Sequence, residues 1–317
     1  MASLRVLVPD ELPTSSIHIL EENGISVHFD PQMAQEKMEE EIGSFDGLIV
    51  RSRIRVTAPV LRKAVRLKGI VRSGTGVDNI DVAEAVRRGV VVMNVPGGNA
   101  ISVAELVFGL ALALNRYIVE ATESLRLGRW EKKRLKGFEL FGKTLGLVGF
   151  GRIGKEVARR ALGFGMKVLV SDPYINSLGD WQGRVESCSL EDVLRQADVI
   201  SLHVPLNDST RNLIGESELK LCKPSAILIN CSRGGVVDEA ALYRALREKW
   251  IRGAGLDVFE REPPGEHPLL KLPNVVATPH LGASTAEAQV RTAEQAARQM
   301  ADFLLHGKVC NEVKADI

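Results

Sequence analysis

Residues 145–156 read LGLVGFGRIGKE, and their three glycines, Gly149, Gly151 and Gly154, stand in the spacing G-x-G-x-x-G. Leu145, Leu147 and Val148 form a short apolar run of the buried-strand kind, and the residues after Arg152 turn helical. Between a strand and a helix each glycine has its own use. The first permits a tight turn, the second lets a pyrophosphate approach the backbone, and the third lets helix and strand pack closely. The helix then points its N-terminal N–H groups and the positive end of its dipole at the same place. A glycine triplet alone describes an ordinary turn equally well, so the setting decides. The next expected strand, 167–171, ends at Asp172, a carboxylate roughly 20 residues beyond the glycines, where one would hydrogen-bond an adenine ribose.

On both sides of this stretch, apolar runs alternate with helix-compatible ones. Upstream, residues 4–8, 26–29, 47–50, 69–72 and 90–95 read as strands. Thr57, ahead of APVLRKAV, has the character of an N-cap, and DVAEAVRRG closes on a helix-stopping glycine. Downstream, strands are expected at 167–171, 198–203, 226–231, 253–258 and 275–278, with helices at 190–196 and 239–249. Such βα repetition implies parallel sheets. Residues 102–126 carry a proline-free pattern of small and apolar side chains, expected as one long connecting helix. The charged run 128–137 reads as an exposed arm, and 284–306 as an amphipathic helix before a short tail, 309–313. At 317 residues the chain has room for two domains of about 100–200 residues each. The expectation is an α/β protein with two doubly wound parallel-sheet domains: residues 1–99, to which 286–317 return, and residues 100–285.

A formal net charge of +1 leaves no electrostatic footprint for nucleic acid or an anionic membrane. The apolar run 107–114 falls short of the ~20 residues that span a bilayer and reads as buried helix. The opening MASLRVLVPDELP has too short an apolar run for a signal-peptide core. Cys188, Cys222, Cys231 and Cys310 lie far apart with no C-x-x-C pair, so neither a disulfide framework nor a metal site is expected, and a cytoplasmic setting is. The expected partner is a small soluble molecule.

The unusual residues of the second half fall after its strands. Gly149 follows the first, Asp172 the second, His203-Val-Pro205 the third, Ser232-Arg233-Gly234-Gly235 the fourth, Asp257 to Glu262 the fifth and Pro279-His280 the last. In an open parallel sheet those ends line one edge, where ligands bind at the topological switch point. Loops after strands are ordinarily polar, but this ordered set implies one shared cofactor site. Arg233 stands between AILIN and a Gly-Gly pair, a poor place for a solvated charge. Its planar fork suits a carboxylate bidentately, with a structural salt bridge as the other reading. His280 could act as acid or base near neutral pH if a partner fixes its tautomer, or could be a satisfied core histidine. Glu262, in FEREPPGEHP, is the candidate partner, although a glutamate in such a loop is ordinarily just solvated.

Together, GFGRIG, HVPL, NCSRGGVVDE, GLDVFEREPP and TPHLGAST resemble the D-isomer-specific 2-hydroxyacid dehydrogenases. LIVRSRIRVT, SGTGVDNID, NVPGGNAISVAEL and the arm GRWEKKRLKG resemble the branch of that family that oxidises 3-phospho-D-glycerate. The resemblance covers nearly the whole chain. It implies a Rossmann NAD domain beside a flavodoxin-like substrate domain, and oxidation of 3-phospho-D-glycerate to 3-phosphohydroxypyruvate, the entry step of serine biosynthesis. By position it implies a catalytic set of Arg233, Glu262 and His280, the glutamate being the one directly before the proline pair rather than Glu260. Around NAD it implies Gly149, Gly151, Arg152, Ile153 and Gly154 at the pyrophosphate, Asp172 at the adenosine ribose and Asp257 at the nicotinamide carboxamide. His203, Pro205, Cys231, Ser232, His280 and Gly282 complete that cofactor set.

For the substrate the resemblance implies Arg51, Ser73, Gly74, Arg233 and His280, with Arg53 and Arg134 as further phosphate contacts. Arg134 would be offered to a neighbouring subunit, or would simply lie on an exposed basic arm. A homodimer or higher homo-oligomer, joined through the cofactor domain, is expected. NAD is expected over NADP, because Asp172 would repel a 2′-phosphate. A glyoxylate or hydroxypyruvate reductase of the same family would share the catalytic residues, and an NADH-sensing corepressor-like protein would share the fold. Longer members of the branch carry C-terminal regulatory domains, whereas these residues stop soon after the last helix, as in a short form or the catalytic part of a longer protein. Feedback by serine through such a domain is therefore not expected here.

Overall fold

Five apolar runs of four residues build the first sheet of the computed structural model, which describes residues 3–314. They are β1 (Arg5–Val8), β2 (Ser26–Phe29), β3 (Gly47–Val50), β4 (Gly69–Arg72) and β5 (Val91–Asn94). All pairings are parallel, in the order β2-β1-β3-β4-β5. Every residue of β3, GLIV, is buried, as a strand covered on both faces requires. Helices α1 (Thr14–Glu22), α2 (Gln35–Glu41), α3 (Ala58–Lys63) and α4 (Val82–Arg87) connect these strands. Asp81 caps α4 by accepting the Glu84 N–H at 3.0 Å. Thr57 does stand at the N-cap of α3, but its side chain makes no cap bond; Pro59 in the first turn leaves one fewer N–H to satisfy.

The second sheet follows two helices, α5 (Ala100–Asn115) and α6 (Ile118–Arg126). Its elements are β6 (Thr144–Val148), α7 (Arg152–Gly163), β7 (Lys167–Ser171), β8 (Glu186–Ser187), α8 (Leu190–Gln196) and β9 (Val199–Leu202). Then come α9 (Glu216–Leu221), β10 (Ile227–Asn230), α10 (Glu239–Arg247), β11 (Gly253–Leu256) and β12 (Val275–Ala277). The strands run parallel in the order β12-β11-β10-β9-β6-β7-β8, so the chain reverses direction across the sheet between β6 and β9. These are two parallel-sheet domains with flanking helices, a Rossmann-type unit and a flavodoxin-like one. The last helix, α11 (Ala286–His306), belongs to the first unit, where Ala293, Ala296, Ala297 and Met300 pack with Val6, Val8, Ile49 and Val71. Beyond it, the Val313 N–H donates to the Val92 carbonyl at 2.8 Å and Glu312 bridges Met93 in antiparallel fashion. That pairing covers the otherwise open edge of β5.

The units divide as Met1–Asn99 with Ala283–Ile317, and Ala100–Gly282. The second division thus falls three residues ahead of 286, because residues 283–285 lead into α11, where Thr285 accepts the Ala288 N–H at 3.2 Å. A larger difference concerns residues 102–126, expected as one helix and found as two, bent by 58°. In a continuous helix the Asn115 carbonyl would take the N–H four residues on. Here it accepts the Phe138 N–H at 2.9 Å, and Tyr117 turns into the left-handed region at φ +53°. The run 107–114 is indeed buried helix, with Val107, Leu110, Ala111 and Leu114 in the core. No single helix among the described residues is long and apolar enough to cross a membrane.

Gly146, in β6, lies directly beneath α8, where a Cβ would stand 2.5 Å from Val193 Cγ1 and 2.8 Å from Ala197 Cβ. Gly146→Val should destabilise the second unit by about 1–3 kcal/mol. A lower urea midpoint by circular dichroism is expected; an unchanged midpoint would contradict this packing.

Candidate active site

The glycine loop joins β6 to α7. Gly149 sits at φ +95°, a conformation that favours glycine, and a Cβ there would lie 2.8 Å from the His203 carbonyl oxygen. At Gly154 a Cβ would meet the Gly149 carbonyl oxygen at 2.5 Å, so helix and turn touch backbone to backbone. At Gly151 a Cβ would meet nothing within 4 Å. Open space therefore adjoins the start of α7, where the first-turn N–H groups of Ile153 and Gly154 have no intrahelical acceptor. Arg152 opens that turn. Asp172, just past β7, accepts the Phe150 N–H at 2.8 Å with one carboxylate oxygen and the Tyr174 N–H at 2.9 Å with the other. It braces the loop while keeping lone pairs for further donors.

Neighbouring strand ends carry the rest of the cofactor set. His203 Nε2 pairs with Ser201 Oγ at 2.9 Å, and its Nδ1 is buried with no hydrogen-bond partner among the described residues. Burial holds this imidazole's pKa down at about 3, so it is neutral. Pro205 is exposed, and its carbonyl accepts Thr210 Oγ1 at 2.6 Å. Cys231 and Ser232 are buried, and burial, with Asp257 adding to it, pushes the Cys231 thiol far up. That thiol is no nucleophile.

Three loops carry the reactive side chains. After β10, Arg233 Nη1 donates to the Ser232 carbonyl at 2.8 Å. Gly234 presses on the next loop so closely that a Cβ would fall 1.9 Å from the Phe259 carbonyl oxygen. After β11, Asp257 is buried, and its carboxylate accepts from Thr278 Oγ1 at 2.5 Å, Leu281 N at 2.7 Å and Gly282 N at 2.8 Å. Its carbonyl takes the His280 N–H at 2.8 Å. These bonds hold His280 in the left-handed region at φ +54°, a conformation that costs a residue with a Cβ about 1–2 kcal/mol. His280 Nδ1 meets Glu262 Oε2 at 2.7 Å, while Glu262 Oε1 accepts the Phe259 N–H at 3.2 Å. Nδ1–H to carboxylate leaves Nε2 as the ring atom that can take a proton. Glu260, by contrast, is held by its backbone N–H to Glu239, 2.7 Å away.

In the first unit, the Arg51 N–H donates to Asp10 Oδ2 at 2.6 Å, and its guanidinium reaches the Glu11 carbonyl at 3.2 Å. Arg53 is committed to structure: its guanidinium bonds the Met33 carbonyl at 2.8 Å, the Pro9 carbonyl and Asp10 at 3.3 Å. Ser73 is buried, its Oγ lacking a hydrogen-bond partner among the described residues. Gly74, at φ +150°, lies under the Arg72 guanidinium, 1.7 Å from where a Cβ would be. Arg134, in the second unit, is paired within its own chain to Glu120 and, at 3.2 Å, to Glu131. Sequence reasoning passed over Asp10, Thr278 and Asn230. The only signal for Asn230 was a polar residue closing the apolar run AILIN.

Comparisons with known proteins agree with this geometry. The family model described as "D-isomer specific 2-hydroxyacid dehydrogenase, NAD binding domain" matches residues 108–282. The chain belongs to the D-isomer-specific 2-hydroxyacid dehydrogenase family. It is 47% identical over 311 residues to a D-3-phosphoglycerate dehydrogenase of Methanocaldococcus jannaschii, covering 98% of this chain and 59% of that protein. It is also 47% identical over 294 residues to a hydroxypyruvate reductase of Thermotoga maritima, covering 92% of this chain and 95% of that one. The crystal structure of TT0316 protein from Thermus thermophilus superposes with a TM-score of 0.88 at 38% identity, over 98% of this chain and 100% of that one. The chain thus spans about three-fifths of the phosphoglycerate dehydrogenase it matches. NAD is the cofactor of this family domain, and the open space at Gly151, the start of α7 and the Asp172 carboxylate fit it.

The neutral His203 gives the second unit a pH signature. Below about pH 6.5 the unfolded chain binds a proton at this residue that the folded chain refuses down to about pH 3, so stability falls with pH across that window. His203→Gln, which keeps a polar group for Ser201, should lose less stability between pH 7 and pH 4.5 than the parent does. Urea midpoints at both pH values measure this, and an identical drop in both proteins would contradict it.

Proposed function

We propose that this protein is an oxidoreductase that interconverts 3-phospho-D-glycerate and 3-phosphohydroxypyruvate with NAD. The observation that carries the reading is the His280–Glu262 pair at 2.7 Å, on the sheet edge that also bears Arg233 and the glycine loop. The match to D-3-phosphoglycerate dehydrogenases over nearly all of this chain supports the substrate. NAD, when bound, supplies the acceptor for the hydride that leaves C2. In the oxidation direction His280 Nε2 takes the C2 hydroxyl proton as general base. Glu262 accepts from Nδ1–H, which fixes the tautomer and the orientation of the ring. Arg233 holds the substrate carboxylate with its planar fork and stabilises negative charge on the C2 oxygen. For the phosphate, Arg51 is the better of the two first-unit arginines, because the Arg53 guanidinium is already engaged by four groups, the carbonyls of Met33, Pro9 and Pro31 and the Asp10 carboxylate. The Ser73–Gly74 turn is a further substrate contact on this reading. It carries with it a cytoplasmic location, where unpaired cysteines such as these persist.

A second reading, hydroxypyruvate reductase, is favoured by the Thermotoga maritima relative at the same identity. One experiment separates the two: NADH oxidation with phosphohydroxypyruvate, hydroxypyruvate and glyoxylate, run on the wild type, His280→Ala and Arg51→Ala. His280→Ala should bind NADH yet lose at least about 10²-fold in kcat on every substrate. Arg51→Ala should cost more than about tenfold in kcat/KM for the phosphorylated acid and little for the others. Full activity of His280→Ala would remove that residue from the reaction, and wild-type preference for hydroxypyruvate would favour the second reading.

Ile118, Leu125, Leu127 and Trp130 are exposed on α6 and the residues just after it, apolar surface that supports a homodimer formed through this segment. Light scattering should give twice the mass of one chain, falling to one on Trp130→Glu with Leu127→Glu. A monomeric wild type would remove the dimer from the reading.

A further inference from the structure

Asn230, the last residue of β10, is 2% exposed, and every polar atom of its side chain is used by the arginine loop. Oδ1 accepts the Ser232 N–H at 3.0 Å and the Ser232 hydroxyl at 2.7 Å, while Nδ2 donates to the Arg233 carbonyl at 2.9 Å. The carbonyl of that same Ser232 receives Arg233 Nη1 at 2.8 Å. A carbonyl that receives the guanidinium thus belongs to the residue that Asn230 grips. On its other side the Asn230 carbonyl accepts the Asp257 N–H at 2.9 Å, and Asp257 holds the His280 loop.

We infer that Asn230 is a positioning residue for the Arg233 guanidinium. Only an amide can do this here, because the Ser232 groups need an acceptor and the Arg233 carbonyl needs a donor. An apolar residue would leave buried polar groups without partners, and a carboxylate would set a lone pair against the Arg233 carbonyl. The role rests on the proposed reaction, in which Arg233 holds the substrate carboxylate.

The test is a double-mutant cycle on the full chain with Asn230→Ala, Arg233→Ala and the double variant, using the 2-oxo acid that the wild type reduces best. Asn230→Ala should lower kcat/KM by about 10²-fold, as a side chain displaced by 1 Å can, with the NADH dissociation constant within about twofold of wild type. In the Arg233→Ala background the same change should cost less than about threefold, because two residues acting as one unit are not additive. Asn230→Asp, the second variant should Asn230→Ala fail to fold, keeps both acceptor bonds and should lose about tenfold for its missing donor. Wild-type kcat/KM in Asn230→Asp, or losses that multiply in the double variant, would overturn the role and leave the reaction standing. A wild type that reduces no 2-oxo acid overturns the reaction, and this role with it.

Discussion

The reacting end of the second unit hangs on one buried carboxylate. Removing Asp257 from water costs several kcal/mol unless hydrogen bonds replace the solvent, and here the donors come from the loop that carries His280. That arrangement makes the histidine's unusual backbone conformation part of a satisfied network rather than an isolated strain. The same strand end is tied through its N–H to Asn230, and the glycine after Arg233 is pressed on the loop that leads to Glu262. Three loops from three strands therefore constrain one another, and the side chains they present inherit that order.

Much of this was legible because parallel strands make simple sequence patterns. Runs covered on both faces are apolar through their centres, so 47–50, 69–72 and 167–171 coincide with β3, β4 and β7 residue for residue, and 26–29 coincides with β2 at the sheet edge although its ends are exposed. A parallel sheet also brings all its C-terminal ends to one edge, which is why the order of Gly149, Asp172, His203, Arg233, Glu262 and His280 along the chain foretold their meeting on one edge. What stayed hidden depends on partners distant in sequence. Nothing in residues 102–126 announces that the Asn115 carbonyl belongs to Phe138, and so the helix break is invisible there. Arg51 and Arg53 look alike in VRSR, and what sets them apart is that the carbonyls of Pro9, Pro31 and Met33 and the Asp10 carboxylate, arriving from other loops, gather on the Arg53 guanidinium. Asn230 hid for a similar reason: an asparagine at a strand end is commonplace until its three side-chain bonds are seen.

The two units differ in how the chain assembles them. The second is one continuous segment, whereas the first lacks α11 and the strand-edge cover at Glu312 and Val313 until its last part is added. During synthesis, the sheet face under Ala293, Ala296, Ala297 and Met300 must wait, apolar and uncovered, while the whole of the second unit leaves the ribosome. All the residues of the nucleotide-binding unit are therefore in the chain before those of the first unit are complete, although the first unit begins the sequence. For the first unit, exposure to aggregation is set by the time taken to translate almost two hundred intervening residues.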